Sequence, residues 1–187
     1  MGEVLNNDFV MGSSGLTGNM LVYRQRKGRT FIAKRPQKRK KPFTEEELQH
    51  QALFADAITY ARAAIVDPAV KEIYAFKAKG IESAYNVAVR NFYDLPEVKL
   101  VDVSGYNGSI GSKILVKATD KCKVNKVKIV IKSSAGSIIE QGEAVVLAND
   151  LDWIYTATTL NSSPSGSTVT ATAFNLPGNS ANSNKVV

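Results

Sequence analysis

The residues with the strongest chemical character in this sequence are cations concentrated near its start. Residues 1–43 contain ten lysines and arginines and two acidic residues, a net charge of +8. Guanidinium and ammonium groups at this density bind carboxylates or phosphates, which predicts an acidic protein or a nucleic acid as the partner. The residues that we predict to make these contacts are Arg24, Arg26, Arg29, Lys34, Arg35, Lys38, Arg39 and Lys40.

Three interpretations of this cationic segment stay open at the level of sequence. Docking on an acidic protein and binding to nucleic acid use the same side chains, whereas a solvated surface needs no partner. Tyr23 and Phe31 lie among the cations and could stack on bases, although contacts within the local structure or with a protein partner explain them more simply. Salt separates the alternatives, because binding to phosphates weakens steeply as the salt concentration rises.

Residues that could catalyse a reaction lack recognisable partners in the sequence. His50 is the only histidine, and no pair of cysteines has the spacing of a zinc site. Glu45, Glu46 and Glu47 are explained by the start of a helix, whose positive end they stabilise. We therefore predict no catalytic residue, no metal ligand and no cofactor, and we expect that the protein is not an enzyme.

Two further motifs have structural explanations. Cys122 lies between two lysines whose charges would lower the pKa of a thiol, although a passive place at a strand edge explains it as well. The run Gly105–Lys113 superficially resembles a phosphate-binding loop, but its spacing is wrong by one residue, so Asn107 and Gly108 predict a turn. With neither an apolar leader nor an apolar run near the ~20 residues of a membrane span, we expect no membrane partner.

The cationic residues fall on a predicted hairpin and linker. The runs at 20–25 and 30–34 are rich in β-forming residues and a glycine-containing turn separates them, so residues 20–34 predict a β-hairpin. Pro36 and Pro42 keep the linker 34–42 extended. Residues 1–19 offer several glycines and little to bury, which predicts a weakly structured start.

The middle of the chain, residues 44–96, predicts three short amphipathic helices. The first begins at a capping box of Thr44 and Glu47, the second at Asp67, and the third near Ser83. The apolar stripe of the first helix is predicted to be Phe54, Ile58, Ala61 and Ile65.

From Glu97 onward the apolar period changes to two, which is typical of strands. Seven short strands with turn residues between them predict an Ig-like antiparallel β-sandwich over residues 97–187, with polar loops at 161–166 and 175–184. The predicted fold is therefore α+β, with a basic arm and hairpin (1–43), a helical segment (44–96) and the sandwich (97–187). The strand candidates are 97–103, 112–119, 124–132, 137–147, 152–159, 167–174 and 184–187.

Two resemblances add to this interpretation. Residues 97–187 resemble the Ig-like domains of bacterial surface proteins and phage virion proteins, through Val116–Asp120, Gly142–Ala144, Trp153–Thr156 and Ser167–Ala173. Residues 15–95 are similar to the N-terminal part of proteins from Bacteroidetes genomes and their phages, including the crAss-like group. The segments that carry this second resemblance are Gly15–Gln25, the Lys/Arg run that begins at Arg35 and Pro36, and Ser83–Ala88.

The second resemblance implies a virion-associated role. We therefore expect a non-enzymatic structural protein of a tailed-phage virion, either a ring subunit of the head–tail or tail assembly or a capsid-bound protein. Its basic arm would contact further copies of the chain and neighbouring virion proteins, after synthesis in the cytoplasm of the host bacterium. Two alternatives stay open: a nucleic-acid-binding protein that uses the same arm, and an Ig-like adhesion module of a bacterial surface.

Overall fold

The computed structural model describes residues 2–5 and 7–187. The backbone forms three antiparallel four-stranded sheets and three helices, so the predicted α+β class is confirmed. The chain divides into two compact units, the first comprising Met1–Phe54 with Lys79–Glu82 and the second comprising Ala55–Ala78 with Ser83–Val187. The division into three domains that end at residues 43, 96 and 187 stays a prediction.

The sheet of the first unit has the predicted hairpin as its central pair. The turn residues Lys27 and Gly28 have φ angles of 46° and 75°, and a two-residue hairpin turn of the favoured twist requires both to be positive. The hairpin over residues 20–34 is therefore confirmed. The strands, in the spatial order β1-β4-β3-β2, are β1 Gly2–Glu3, β2 Gly15–Thr17, β3 Leu21–Arg26 and β4 Arg29–Lys34.

The beginning of the chain is paired to this hairpin. β1 pairs with β4 and β2 pairs with β3, and the Gly12 amide donates to Thr30 Oγ1 at 3.0 Å. The expectation of a weakly structured start is wrong at β1 and β2, where backbone pairing orders segments that have no apolar alternation. The other described residues of 1–19 lie in turns or irregular backbone. Met1 and Asn6 lie outside the described residues.

Three helices follow, and their predicted starts are confirmed. The Thr44 amide and the Glu47 carboxylate form the capping box at 2.9 Å, Asp67 caps the second helix, and Ser83 caps the third. The predicted stripe of the first helix is wrong at Phe54, which is exposed. The prediction is confirmed at Ala61, which is fully buried, and Ala57, which was not predicted, is fully buried as well. The helices are α1 Glu45–Ala64, α2 Pro68–Lys77 and α3 Ala84–Asn91.

The remaining strands form two sheets, ordered β5-β6-β10-β9 and β12-β11-β7-β8. The predicted strand 137–147 divides at Ala144, because its two halves pair in different sheets. The last strand begins at Ser180, so the predicted loop 175–184 is wrong over its second half, where pairing with β11 orders a polar segment. The strands are β5 Glu97–Asp102, β6 Lys113–Thr119, β7 Val124–Lys132, β8 Ile138–Glu143, β9 Val145–Val146, β10 Asp152–Thr156, β11 Thr168–Asn175 and β12 Ser180–Val186.

Both of these sheets contribute to one apolar core. Alternate residues of β6, β7 and β11 are fully buried, as the period-two pattern predicts. Trp153 and Tyr155 of β10 are buried in the same core. The largest fully buried apolar side chains of the cluster are Ile114, Val116, Val127, Ile129, Ile131 and Val169.

A buried polar network joins the helices of the second unit to its strands. The Tyr60 and Tyr74 hydroxyls are 2.6 Å apart, and the Tyr74 hydroxyl donates to Asn91 Oδ1 at 3.1 Å. Asn91 Nδ2 donates to Asp120 Oδ1 at 3.2 Å, and Asn175 Nδ2 donates to Asp120 Oδ2 at 3.4 Å. Burial raises the pKa of the Tyr74 phenol above its usual range, so the network keeps its proton.

Candidate docking surface

Three of the eight predicted docking residues lie together on one face of the first unit's sheet. In the hairpin register Arg24 lies opposite Phe31, and Arg26 lies opposite Arg29. Directly opposed residues share a face, and residues two apart on a strand share it as well. Arg24, Arg26 and Arg29 therefore form one cationic surface, which we call the arginine face.

The arginine face contains an unfavourable contact in the isolated chain. Arg26 and Arg29 are the last opposed pair before the turn, and like charges in that position destabilise a hairpin. Glu3 of β1 offsets part of this repulsion, since its carboxylate lies 3.6 Å from the Arg29 guanidinium and both side chains are substantially exposed. A carboxylate or phosphate from another molecule would relieve the remainder.

The two aromatic residues of the hairpin do not join the arginines as a stacking platform. Phe31 shares the arginine face but is only 9% exposed, so its ring cannot take a base. Tyr23 lies opposite Ile32 on the other face. The possibility that Phe31 stacks on nucleic-acid bases is therefore wrong, and the possibility that it packs within the local structure is confirmed.

Three more of the predicted residues lie around a groove where the hairpin opens. The Arg35 amide donates to the Met20 carbonyl at 2.7 Å, which is the last rung before Pro36, a residue with no amide hydrogen to continue the ladder. The chain leaving β4 and the chain entering β3 enclose a groove of about 710 Å³, which we call the hairpin-end groove. Its lining is Asn19, Met20, Leu21, Lys34, Arg35, Pro36, Gln37 and Lys38.

Arg39 is engaged within the chain. Its guanidinium donates to both carboxylate oxygens of Glu47, at 2.9 and 2.6 Å, and lies 4.5 Å from the centre of the Phe43 ring. The bond from Arg39, together with the capping bond from Thr44, lowers the pKa of Glu47 to about 2. Arg39 thus braces the linker against the start of α1, while its docking role stays a prediction. Lys40 is exposed.

Sequence reasoning missed the apolar side chains that accompany these cations. Phe9 is 99% exposed, and Met20 and Leu5 are also largely in solvent. These residues follow no strand or helix period, which is the signal used to find buried faces, so only their number in a segment without a core points to them. We call Leu5, Phe9, Met11, Leu16 and Met20 the exposed apolar set.

The residues considered for catalysis are described one by one. Burial, with a smaller effect of Asp120, raises the pKa of the Cys122 thiol to about 11, against the lowering that its lysine neighbours suggested. His50 lies exposed on α1. Among the described residues, no three histidine, cysteine, aspartate or glutamate side chains are placed to share a metal ion. Gly108 forms the predicted turn with φ of 84°.

The second unit also has a groove, of about 620 Å³, beside α2. The exposed ring of Phe76 and the side chains of Ile73 and Leu151 give it an apolar wall. Its charged lining is mixed, because it contains both acidic and basic side chains, so it has no strong preference for one sign of ligand. Within residues 2–5 and 7–187, no helix has the length and hydropathy needed to cross a bilayer.

Comparisons with known proteins identify no family for this chain. No family model matches it, and no curated protein is similar enough to count as a match. Part of the chain is similar to an engineered protein of known structure, with 17% identity and a TM-score of 0.34 over 50% of this chain and 18% of that one. It is also similar to a tetra-tandem repeat from the extending region of a large adhesion protein, with 25% identity and a TM-score of 0.31 over 49% of this chain and 23% of that one. Likeness at this level carries no conclusion about fold or function.

Proposed function

We propose that this protein is a non-enzymatic structural protein of a tailed-phage virion, and that it assembles on neighbouring virion proteins through its basic N-terminal arm, residues 1–43. One observation carries the proposal. Among the described residues of the first unit, Phe31 is the one large apolar side chain that is buried, while the arginine face and the exposed apolar set lie in solvent. This composition is typical of a layer that another molecule completes.

The exposed apolar set favours a protein partner. Full burial of one such side chain contributes about 1.5–3 kcal/mol, so half-burial of all five would contribute on the order of 5 kcal/mol. A contribution of this size offsets much of the cost of ordering chain segments on binding. Nucleic-acid backbones offer no comparable apolar surface, and Phe31, the aromatic residue on the arginine face, is too buried to stack on bases.

The arginine face favours an acidic region of that partner. Arg26 and Arg29 repel each other in the free chain, and a partner carboxylate would turn this repulsion into attraction. The whole chain carries a net charge of +7, so two identical cationic surfaces would not pair. A homo-oligomer of this chain would therefore join different surfaces, which is the arrangement that closes into rings.

The second unit supplies the body in this proposal, and its strand orders support an Ig-like sandwich. The orders β5-β6-β10-β9 and β12-β11-β7-β8 correspond to the A-B-E-D and G-F-C arrangement of immunoglobulin domains with one added strand. Trp153 lies on β10 rather than on the third strand of the body, and the single cysteine removes the usual inter-sheet disulfide. The body would therefore depend on its apolar core alone.

The virion context follows from the resemblance of residues 15–95 to proteins of Bacteroidetes phages. A ring subunit of the head–tail connector or tail, or a capsid-bound protein, needs a stable body and a segment that docks on its neighbours. The two units of this chain fit that pair of requirements. Synthesis in the host cytoplasm and final placement in the virion belong to the same proposal.

Nucleic acid is the second candidate partner, and the arginine face is the observation that favours it. Three guanidinium groups on one face could contact successive phosphates. Binding of that kind would lose affinity steeply with salt, whereas a partner that buries the exposed apolar set would be much less sensitive. The salt dependence of assembly therefore separates the two candidates.

The test is carbodiimide cross-linking of purified virions followed by mass spectrometry, since this reagent joins lysines to carboxylates in contact. We expect the chain in the particles at a constant copy number, with links from Lys34, Lys38 or Lys40 to acidic residues of a neighbour. Absence of the chain from the particles would overturn the virion role. Ultraviolet cross-links to packaged DNA in place of the protein links would favour the second candidate.

A pair of charge-matched variants sharpens the test. Replacing Arg24, Arg26 and Arg29 by glutamine should reduce incorporation into particles at least tenfold, because it removes the charges opposed to the acidic partner. Replacing the exposed lysines Lys113, Lys123 and Lys132 by glutamine removes the same charge from the second unit and should change incorporation by less than about twofold. Equal loss in both variants would point to net charge and contradict docking through the arm.

A further inference from the structure

We infer that the hairpin-end groove binds a short acidic peptide segment that carries an aliphatic side chain. This inference rests on the proposed function and names the chemistry of the segment that the arm recognises. The groove, about 710 Å³ in volume, lies where the ladder between β3 and β4 ends. Its lining has an apolar part, which we call the floor, and a cationic part, which we call the rim, and each specifies one part of the ligand.

The floor of the groove is apolar and accessible. Met20 and Leu21 enter β3 on one side, and Pro36 lies on the other. The Met20 side chain is 68% exposed, so it is free to close on a ligand, and methionine adapts its shape to different apolar partners. A single leucine-sized side chain suits such a floor better than a sugar or a phosphate does.

The rim of the groove is cationic without a compensating acid. Lys34, Arg35 and Lys38 line it, and none of the described residues in the lining is aspartate or glutamate. These three cations lie within five consecutive residues of an extended chain, so successive side chains reach different sides of the groove. Carboxylates on either side of one aliphatic residue would meet them, which specifies an acidic–aliphatic–acidic peptide.

The end of the ladder also explains why the groove accepts an extended chain. Pro36 cannot donate to the strand beside it, so the hairpin stops at the bond between Arg35 and Met20. Beyond that bond Pro36 and Gln37 lie outside the ladder. An extended peptide beside them would pair with this backbone, while the side chains that line the groove would give specificity.

Nucleic acid fits the groove less well. No aromatic side chain is among the residues that line it, and binding of single strands depends on stacking as well as on charge. A short oligothymidine therefore serves as the competing probe.

The experiment is fluorescence anisotropy of the full chain with a labelled Asp-Glu-Leu-Glu-Asp peptide at physiological salt. We expect saturable binding, and we expect replacement of Lys34, Arg35 and Lys38 by glutamine to raise the Kd about tenfold. The matched variant that replaces Lys113, Lys123 and Lys132 by glutamine removes the same charge from the second unit and should change the Kd by less than about threefold. Equal effects of the two variants, or no binding, would overturn the inference.

A second measurement isolates the apolar floor. An Asp-Glu-Gly-Glu-Asp peptide keeps the charges and lacks the aliphatic side chain. Met20→Ser should therefore raise the Kd for the leucine peptide and leave the Kd for the glycine peptide unchanged. Equal weakening of both peptides would contradict contact between leucine and the floor. Displacement of the leucine peptide by equimolar oligothymidine would assign the groove to nucleic acid and overturn the peptide assignment.

The outcome is distinguishable from that of the proposed function. If the arm is cross-linked to a virion protein but the chain does not bind the peptide, the proposed function stands and this inference is wrong. If the chain binds the peptide but is absent from virions, the inference stands and the proposed function is wrong.

Discussion

The two units of this chain use the same antiparallel strand pairing with opposite results. In the second unit, residues that alternate along β6, β7 and β11 are buried between two sheets. In the first unit, a single sheet buries Thr30 and Phe31 among its described residues and leaves Phe9 and Met20 in solvent. The comparison teaches that strand pairing alone does not make a folding unit. A second layer is what converts alternation into burial, and no second sheet is found among the described residues of the first unit.

The largest expected effect tests the core of the second unit. Ile129 of β7 is fully buried, so Ile129→Ala removes apolar contacts and leaves a cavity, and we expect the free energy of unfolding to fall by about 3 kcal/mol. Urea unfolding followed by the fluorescence of the buried Trp153 measures this change. The control is Ile110→Ala at an exposed position, which should cost less than about 0.5 kcal/mol. A loss below 1 kcal/mol for Ile129→Ala would show that the core is more tolerant than its burial implies.

The next effect is confined to the first unit. Phe31→Ala removes the one large apolar side chain that the described part of this unit buries, so the amides of β3 and β4 should exchange hydrogen at least tenfold faster. The urea midpoint reported by Trp153 should stay unchanged, because that residue belongs to the core of the second unit. A lower urea midpoint, reported by Trp153, in the Phe31→Ala variant would contradict the view that the second unit is stable independently of the first unit's sheet.

A buried carboxylate connects strands of the two sheets in the second unit. Glu140 of β8 is 6% exposed, and its Oε1 accepts bonds from the Tyr155 hydroxyl at 2.7 Å and from the Thr158 amide and hydroxyl, both at 2.6 Å. Burial alone would raise the pKa of Glu140, but these bonds together outweigh it and hold the pKa below its usual value of 4.5. The folded state therefore prefers the charged form.

This preference makes the stability of the second unit depend on acidity. A lowered pKa gives stability that is present above pH 4.5 and is lost as the pH falls through the pKa of the folded state. Glu140→Gln should cost about 1–2 kcal/mol at pH 7 and should flatten the acid side of the stability profile. Glu143→Gln, on the exposed side of the same strand, is the control. An unchanged acid slope in Glu140→Gln would assign the pH dependence to other groups.

Much of the fold could be predicted because its signals are local. The short glycine-containing turn between β3 and β4 predicts the hairpin. Capping residues such as Thr44 and Ser83 predict where the helices begin. The alternation of apolar residues predicts most strands of the second unit. The exceptions have a common cause. β1, β2 and the first half of β12 contain glycine, serine and asparagine, and they are strands because a neighbour supplies backbone partners. A partner distant in sequence leaves no local signal.

The candidate site could also be predicted only as far as its signals are local. Period two along β3 and the register of a two-residue turn bring Arg24, Arg26 and Arg29 together. The engagement of Arg39 by Glu47 and the end of the ladder at Pro36 are three-dimensional consequences of how the linker leaves the sheet. The exposed apolar set had no periodic signal, because residues that await a partner need not match a period of their own chain.

The smallest effect on stability tests the functional side of the comparison. Arg26→Glu places a carboxylate directly opposite Arg29 and replaces a like-charge pair by an opposite-charge pair, which should stabilise the hairpin by about 0.5 kcal/mol. Hydrogen exchange of the β3 and β4 amides should slow about twofold. The same substitution places a negative charge on the arginine face, so incorporation into virions should fall below that of Arg26→Gln, which removes the repulsion without adding an acid.

A variant that folds better and assembles worse would show that the repulsion between Arg26 and Arg29 is retained for contact with an acidic surface and not for the stability of the free sheet. Better folding with undiminished incorporation would place the contact elsewhere on the first unit. Lower incorporation with no change in hydrogen exchange would mean that Glu3, which already lies near Arg29, offsets the repulsion between Arg26 and Arg29 in the free chain. The three results thus differ in where the partner contacts the first unit. The like-charge pair of Arg26 and Arg29 predicts better folding together with lower incorporation.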